Sequence, residues 1–206
     1  MSREQAAENH ERIVRVAAQL FREYGFDGIG VADLMKEAGL THGGFYGHFA
    51  SKDDLAAAAC GRALDKSLEN WSAAIEKAPD EAFLKIVNGY LSEAHRDRPG
   101  SGCLVAALGS DLARQAPPIR RVVTEGIHAF VGQLMRLVPG KSKSDRRRKA
   151  LSAFAAMVGA VTIARAVDDP KLSKEVLAAV ASLVAATAGE SYRRRLQGPA
   201  SPDHAA

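Results

Sequence analysis

Apolar positions recur three and four residues apart near the start of the chain. Ile13, Ala17, Leu20, Phe21 and Tyr24 share one face of a predicted helix, with polar side chains between them. Gly25 follows at once, as a glycine just past the last turn does when it ends a helix. A second, shorter helix is predicted over 31–38 and is closed by Gly39. Thr41 is placed to cap a third. Ser51 opens a fourth, with Asp54 three residues on in a capping-box arrangement and Asp53 also near the positive end of the helix. That helix runs to about residue 77, before Pro79.

The rest of the chain has the same period. Asp80 is expected to cap a segment whose apolar side holds Phe83, Val87, Tyr90 and Leu91, and which stops before Pro99-Gly100. Residues 102–114 read as a compact helix. Pro117-Pro118 begins another that ends near Val138, with Pro139-Gly140 as the stop. Residues 141–145 read as a polar loop, 146–167 as a long helix broken by Asp169-Pro170, and 171 or 173 to 194 as the last helix. There is no sustained period-2 run and no internal repeat, so the fold class is all-α. Helices are short and glycine-punctuated before about Phe49–Ser51, and long and alanine-rich after it. The expected domains are therefore 1–50 and 51–206, with the tail 197–206 disordered.

Composition narrows the classes. The chain has 206 residues, 47% hydrophobic and 25% charged, which is ordinary for a soluble globular protein with a real core. The opening MSREQAAENHER is charged where a signal peptide would be apolar, and the longest weakly polar stretch, 150–164, is too short for a bilayer. No membrane partner is expected, and a cytoplasmic location is. Two cysteines, Cys60 and Cys103, exclude a disulfide framework. The net charge of +4 hints at a polyanion partner. Yet residues 1–55 hold six Lys/Arg against nine Asp/Glu, a local net charge of −3. Any DNA contact there must come from local placement and not from bulk charge.

The segment GLTHGGFYGHF, Gly39 to Phe49, packs four glycines into eleven residues between helices. Two short helices joined by a tight turn at Gly39-Leu40 make a helix-turn-helix, motif about 30–49, whose second helix enters the major groove. Glycines there let the backbone approach phosphate or base edges closely. Backbone N–H groups behind Thr41 favour a phosphate, Tyr46 and His48 can donate to phosphate oxygens, and Lys52 adds a positive charge. Phe45 and Phe49 belong to the small core.

The run AAQLFREYGFDGIGVADLMKEAGLTHGGFYGHFASKDDL resembles the DNA-binding domain of the TetR family of bacterial one-component regulators. The resemblance rests on Phe21, Gly25 and Phe26, on Ala38-Gly39-Leu40-Thr41, and on Tyr46-Gly47-His48-Phe49 followed by Ser51-Lys52-Asp53. It implies a three-helix N-terminal domain, a larger helical ligand-binding and dimerisation domain, about nine helices in all, a homodimer, and effector-controlled binding to double-stranded operator DNA. The DNA contacts it implies are Thr41, His42, Gly43, Gly44, Tyr46, His48 and Lys52. Two places depart from the pattern. Ile29 and Gly30 stand where the family usually has Thr or Ser, so Gly30 caps only weakly. His42 stands where Lys or Arg is common, so direct base readout is expected to be modest, with some dependence on DNA shape.

The last two long helices are rich in small residues that let helices approach closely. Ser152, Ala156, Gly159, Ala160, Ala178, Ala181 and Ala185 are the expected dimer interface, a four-helix bundle about a two-fold axis. The middle helices are expected to enclose an effector cavity lined by Trp71, Phe83, Val87, Tyr90, Cys103, Ala107, Phe130, Phe154 and Met157, with Asn88, His95 and His128 as its polar groups. The alternative for these residues is plain core.

Other chemistry is thin. Glu125 and His128 have the Glu-x-x-His spacing of a di-iron site, but that site needs the motif twice. No catalytic residue, metal or cofactor is expected. Cys103, at a predicted helix start, offers a thiol redox or electrophile sensor as an alternative. An all-helical enzyme or carrier using the central cavity is the alternative from another class. The basic run 141–149 reads as a solvated face.

Overall fold

The computed structural model describes residues 2–187, and among these the chain is helical with no strand. The expected tail 197–206, and the last helix beyond residue 187, lie outside the described residues.

Helix α1, Arg3–Tyr24, begins ten residues before the first apolar repeat because Ser2 Oγ accepts the Gln5 N–H at 3.1 Å. It ends at Gly25, φ 80°, whose N–H returns to Phe21 O at 2.9 Å. Helix α2, Val31–Glu37, closes in a Schellman turn: Leu40 N–H reaches Met35 O at 2.8 Å and Gly39 N–H reaches Lys36 O at 2.9 Å. Gly39 holds φ 69° there, a left-handed conformation that favours glycine.

The third helix differs from expectation. It is a 3₁₀ segment, His42–Gly47, and the Thr41 side chain makes no cap hydrogen bond. Three glycines in six residues withhold the propensity a regular α-helix needs, and the tighter turn suits a short run. Helix α3, Lys52–Lys77, starts as predicted, with Ser51 Oγ accepting Asp54 N–H at 3.1 Å and Asp54 Oδ2 accepting Ala50 N–H at 3.3 Å.

The stretch 80–101 also differs. Helix α4 is Ala82–Tyr90, and Glu81 in place of Asp80 occupies its N-cap without a side-chain cap bond. A break at Leu91 separates it from α5, Glu93–Arg96, and the 3₁₀ turn Pro99–Ser101. Helix α6, Leu104–Leu112, is shorter than predicted, and α7, Pro117–Leu137, matches. Helix α8, Lys143–Ala166, absorbs most of the expected polar loop because Ser142 Oγ caps Asp145 N–H at 3.1 Å. Helix α9, Pro170–Ala186, starts on the Asp-Pro pair that ends α8: Asp169 Oδ1 accepts Lys171 N–H at 2.8 Å and Leu172 N–H at 3.2 Å.

The helices form two compact units. One holds residues 2–72 together with 93–130; the other holds 73–92 together with the described residues from 131 onward. In the first, Phe21, Leu34, Met35, Phe45, Leu55, Leu104 and Ile119 are fully buried, each contributing about 1.5–3 kcal/mol relative to exposure. Helix α1 packs against α2, α6 and the Pro99–Ser101 turn. In the second, α9 packs against α8 and α4. Ser173 Oγ donates to Ala164 O at 2.7 Å across the α8–α9 hairpin. By length and composition α8 passes for a membrane span. Its stripe of Ala153, Phe154, Met157, Val161 and Ala164 is buried, as in a core helix.

Candidate nucleic-acid interface

In the 3₁₀ segment, burial alternates sharply. Phe45 is 1% exposed and Tyr46 is 70% exposed. Phe45 and Phe49 turn inward with ring centroids 5.8 Å apart and anchor the segment, and Phe49 N–H donates to Phe45 O at 3.0 Å. Thr41, His42, Gly43, Gly44, Tyr46 and Gly47 are all exposed. His42 meets the Tyr46 ring edge-on at 6.4 Å. The hydroxyls of Thr41 and Tyr46 and the imidazoles of His42 and His48 make no hydrogen bond among the described residues. Their donors and acceptors are left to solvent or to a partner.

The glycines separate by cause. A Cβ at Gly43 or Gly47 would meet nothing within 4 Å, and one at Gly44 would meet only Met35 Cε and Thr41 Oγ1 at 3.7 Å, an ordinary contact. Nothing in the protein excludes side chains there. A Cβ at Gly28, by contrast, would lie 1.9 Å from Tyr24 O, so the chain's own turn requires that glycine.

Two members of the expected set sit less openly. His48 is half-buried, and Lys52 is half-buried with its Nζ 6.0 Å from the Phe21 ring centroid. Gly30 occupies the N-cap of α2 with no side-chain cap bond. His10 was not singled out in the sequence, yet its ring stacks on Phe49 at 4.5 Å and lies 6.2 Å from His48. It supports the segment from α1. Its position three residues before Ile13, on the same helix face, was the available signal.

This arrangement is an exposed, side-chain-poor turn mounted on a three-helix core. A profile of bacterial regulatory proteins, tetR family, matches residues 13–59, which covers α1, α2, the 3₁₀ segment and the start of α3. A solved TetR transcriptional regulator from Chloroflexus aurantiacus superposes with a TM-score of 0.72 at 25% identity, covering 88% of this chain and 96% of that one. Residues 13–59 of the chain match the DNA-binding region of the TetR family, and the described fold is that of solved TetR regulators.

Other similarities agree. The reduced form of Escherichia coli NemR has the same fold, with a TM-score of 0.74 at 20% identity over 87% of this chain and 97% of that one. The Bacillus subtilis HTH-type transcriptional regulator YerO is 32% identical over 94 residues, 44% of this chain. The Mycobacterium repressor DhaR is 22% identical over 142 residues, 67% of this chain and 70% of DhaR. The match spans only 32% of YerO, so the curated likeness is concentrated in part of that relative's length. The TetR family is one of transcriptional regulators and not of enzymes.

The remaining expected site residues fall in separate places. In the first unit, Trp71 meets Phe130 edge-on at 4.9 Å, and Cys103 N–H donates to His95 Nε2 at 2.9 Å. Cys103 is buried at the head of α6, and Ala107 is half-buried one turn on. In the second, Phe83, Val87, Tyr90, Phe154 and Met157 are buried. Asn88 and His128, expected as polar groups of a cavity, are exposed, because the buried faces of α4 and α7 run through Phe83, Val87 and Tyr90 and through Val123, Phe130 and Leu134. Burial pushes the Cys60 thiol up to about 12. Among the described residues no three His, Cys, Asp or Glu side chains gather as a metal site requires.

Of the expected dimer residues, Ala160 and Ala185 are buried, Ala156, Gly159 and Ala181 half-buried, and Ser152 and Ala178 exposed. The same two helices carry Leu151, Ile163, Leu172 and Leu183, four large apolar side chains left exposed.

Proposed function

We propose that this chain is a homodimeric transcriptional regulator that binds double-stranded operator DNA through residues 41–48 and Lys52, and that a small-molecule effector controls that binding. The observation that carries the reading is the 3₁₀ segment: glycines with open space where side chains would be, beside an exposed Tyr46, on a buried Phe45–Phe49 anchor. A Cβ-free surface is what a backbone needs to lie against phosphates or base edges. The protein acts as a repressor in this reading, supported by the likeness to the repressor DhaR. Its place of action is then the bacterial cytoplasm. The effector acts by binding better to a conformation unsuited to DNA.

The test is selection of bound genomic fragments with purified protein, followed by affinity measurements on the selected duplex at several salt concentrations. Lys52→Ala is expected to weaken binding across sequences and reduce the salt slope by about one. Tyr46→Ala is expected to cost roughly 1–3 kcal/mol, the value of a good base contact. Wild-type affinity in both variants would remove this face from the proposal.

A further inference from the structure

A groove of about 370 Å³ lies within the first unit, between α1, α3 and the Pro99–Ser101 turn. Its wall carries four cations, Arg15 and Arg22 from α1 and Arg62 and Lys66 from α3, together with the amides of Gln19 and Asn70. No Asp or Glu is among its described lining residues. Four positive groups around one concavity focus a positive potential that attracts an anion. None of these residues belongs to the apolar set expected of an effector cavity.

The acids nearby leave the groove positive. Arg62 Nε holds Glu11 at 2.9 Å and Lys66 Nζ reaches Glu69 at 3.4 Å, but both carboxylates are 60% exposed, where solvent and salt screen such pairs. Glu23, next to Arg22, takes the Gln19 amide at 3.0 Å. Arg15 has no ion pair or hydrogen bond among the described residues.

Arg22 is the fixed point. Its Nε donates to Gly100 O at 2.9 Å and its Nη2 donates to the same oxygen, which spends one edge of the guanidinium on the protein. Its Nη1 has no partner among the described residues. Burial disfavours its charge and lowers its pKa. A guanidinium held rigid with donors to spare binds carboxylate or phosphate oxygens strongly, and more so where water is scarce.

We propose that this groove is a binding site for a small organic anion, its carboxylate or phosphate held by Arg22, Arg15 and Lys66 and its body resting on Ala18 and Ala63. The volume lies at the lower end of ligand pockets, about 300–1,000 Å³, which suits a metabolite-sized acid and not a polymer. The ligand would tie α1, part of the DNA-binding domain, to α3, the helix that leaves it. Its consequence for DNA rests on the proposed function above; the binding itself does not.

The test is isothermal titration of the full chain with benzoate, phenyl phosphate and the neutral benzamide. One saturable site for at least one anion is expected, with the preferred anion distinguishing carboxylate from phosphate, and none for benzamide. Arg15→Gln/Lys66→Gln, both exposed positions, is expected to lose at least tenfold in affinity with an unchanged melting temperature. Lys52→Ala/Tyr46→Ala is expected to bind the anion as wild type does. The proposal falls if neither anion binds, if benzamide binds equally, if the Arg15/Lys66 variant keeps full affinity, or if the Lys52/Tyr46 variant loses it. DNA binding is measured separately without anion. Its failure alongside intact anion binding would sink the regulator reading and leave this site standing.

Discussion

Gly39 and Gly43 stand four residues apart and answer to different neighbours. Gly39 closes the α2 Schellman turn at φ 69°, and a side chain in that backbone region costs about 1–2 kcal/mol. Gly43 has a negative or extended φ and open space where a Cβ would be, so the fold does not require it. Alanine at 43 is expected to leave stability unchanged or raise it by up to about 1 kcal/mol, through helix propensity and a less flexible unfolded chain. Urea unfolding of Gly39→Ala and Gly43→Ala checks both signs. On duplex DNA the order inverts for the second variant: Gly43→Ala is expected to keep its fold and lose affinity, because the new methyl group occupies space the backbone would share with DNA. Full affinity in Gly43→Ala would show that the missing Cβ serves no partner.

Between residues and the whole chain, capping decides where elements begin. Asp169 Oδ1 satisfies two N–H groups of α9 while Pro170 fills its first position. Asp169→Ala is expected to cost ~1 kcal/mol, and Asp169→Asn much less, since Asn caps equally well; the shift in thermal or urea midpoint reads this out. The same logic explains what the sequence made legible. Where a start signal, the Ser51 cap or the Pro117-Pro118 pair, leads into an apolar stripe, the predicted and observed helices agree. The first ten residues of α1 bury little, so periodicity was silent there and only Ser2 marked the start. Thr41 looks like a cap and predicts an ordinary third helix, yet its side chain makes no cap bond. Its three glycines in six residues are what set the 3₁₀ geometry of that helix, whatever they also offer to DNA. The candidate site was legible because exposure in a short turn depends on adjacent residues: Phe45 and Phe49 go in, so Tyr46 comes out. Cavity lining was not, because it depends on how each helix is rotated in its unit. Asn88 and His128 show the cost of guessing that rotation from polarity.

At the scale of the molecule the question is what covers α8 and α9. A lone exposed leucine on a soluble protein is normal. Here Leu151, Ile163, Leu172 and Leu183 are 42%, 50%, 42% and 63% exposed on two adjacent helices, interleaved with Ser152, Gly159, Ala178 and Ala181. A Cβ added at Gly159 would meet nothing within 4 Å in the single chain, so that space is open to a second one. Small residues beside large ones are the ridges and grooves that two helix pairs need to interlock. In the proposed dimer each such residue is buried twice about the two-fold axis, so one substitution acts on both halves. Ile163→Glu/Leu183→Glu is therefore expected to sediment as a monomer where wild type sediments as a dimer. Helices of the single chain should persist by circular dichroism, since both side chains are exposed in it. Operator binding supplies the functional reading. Two recognition segments about 34–36 Å apart address a palindrome one helical turn between centres, and linking them multiplies affinity by about 10² to 10⁴ through effective concentration alone. The charged variant is expected to lose most of that factor on a full palindrome and almost nothing on an isolated half-site. A variant that remains dimeric, or that loses half-site and palindrome binding equally, would place the dimer contact elsewhere on the chain.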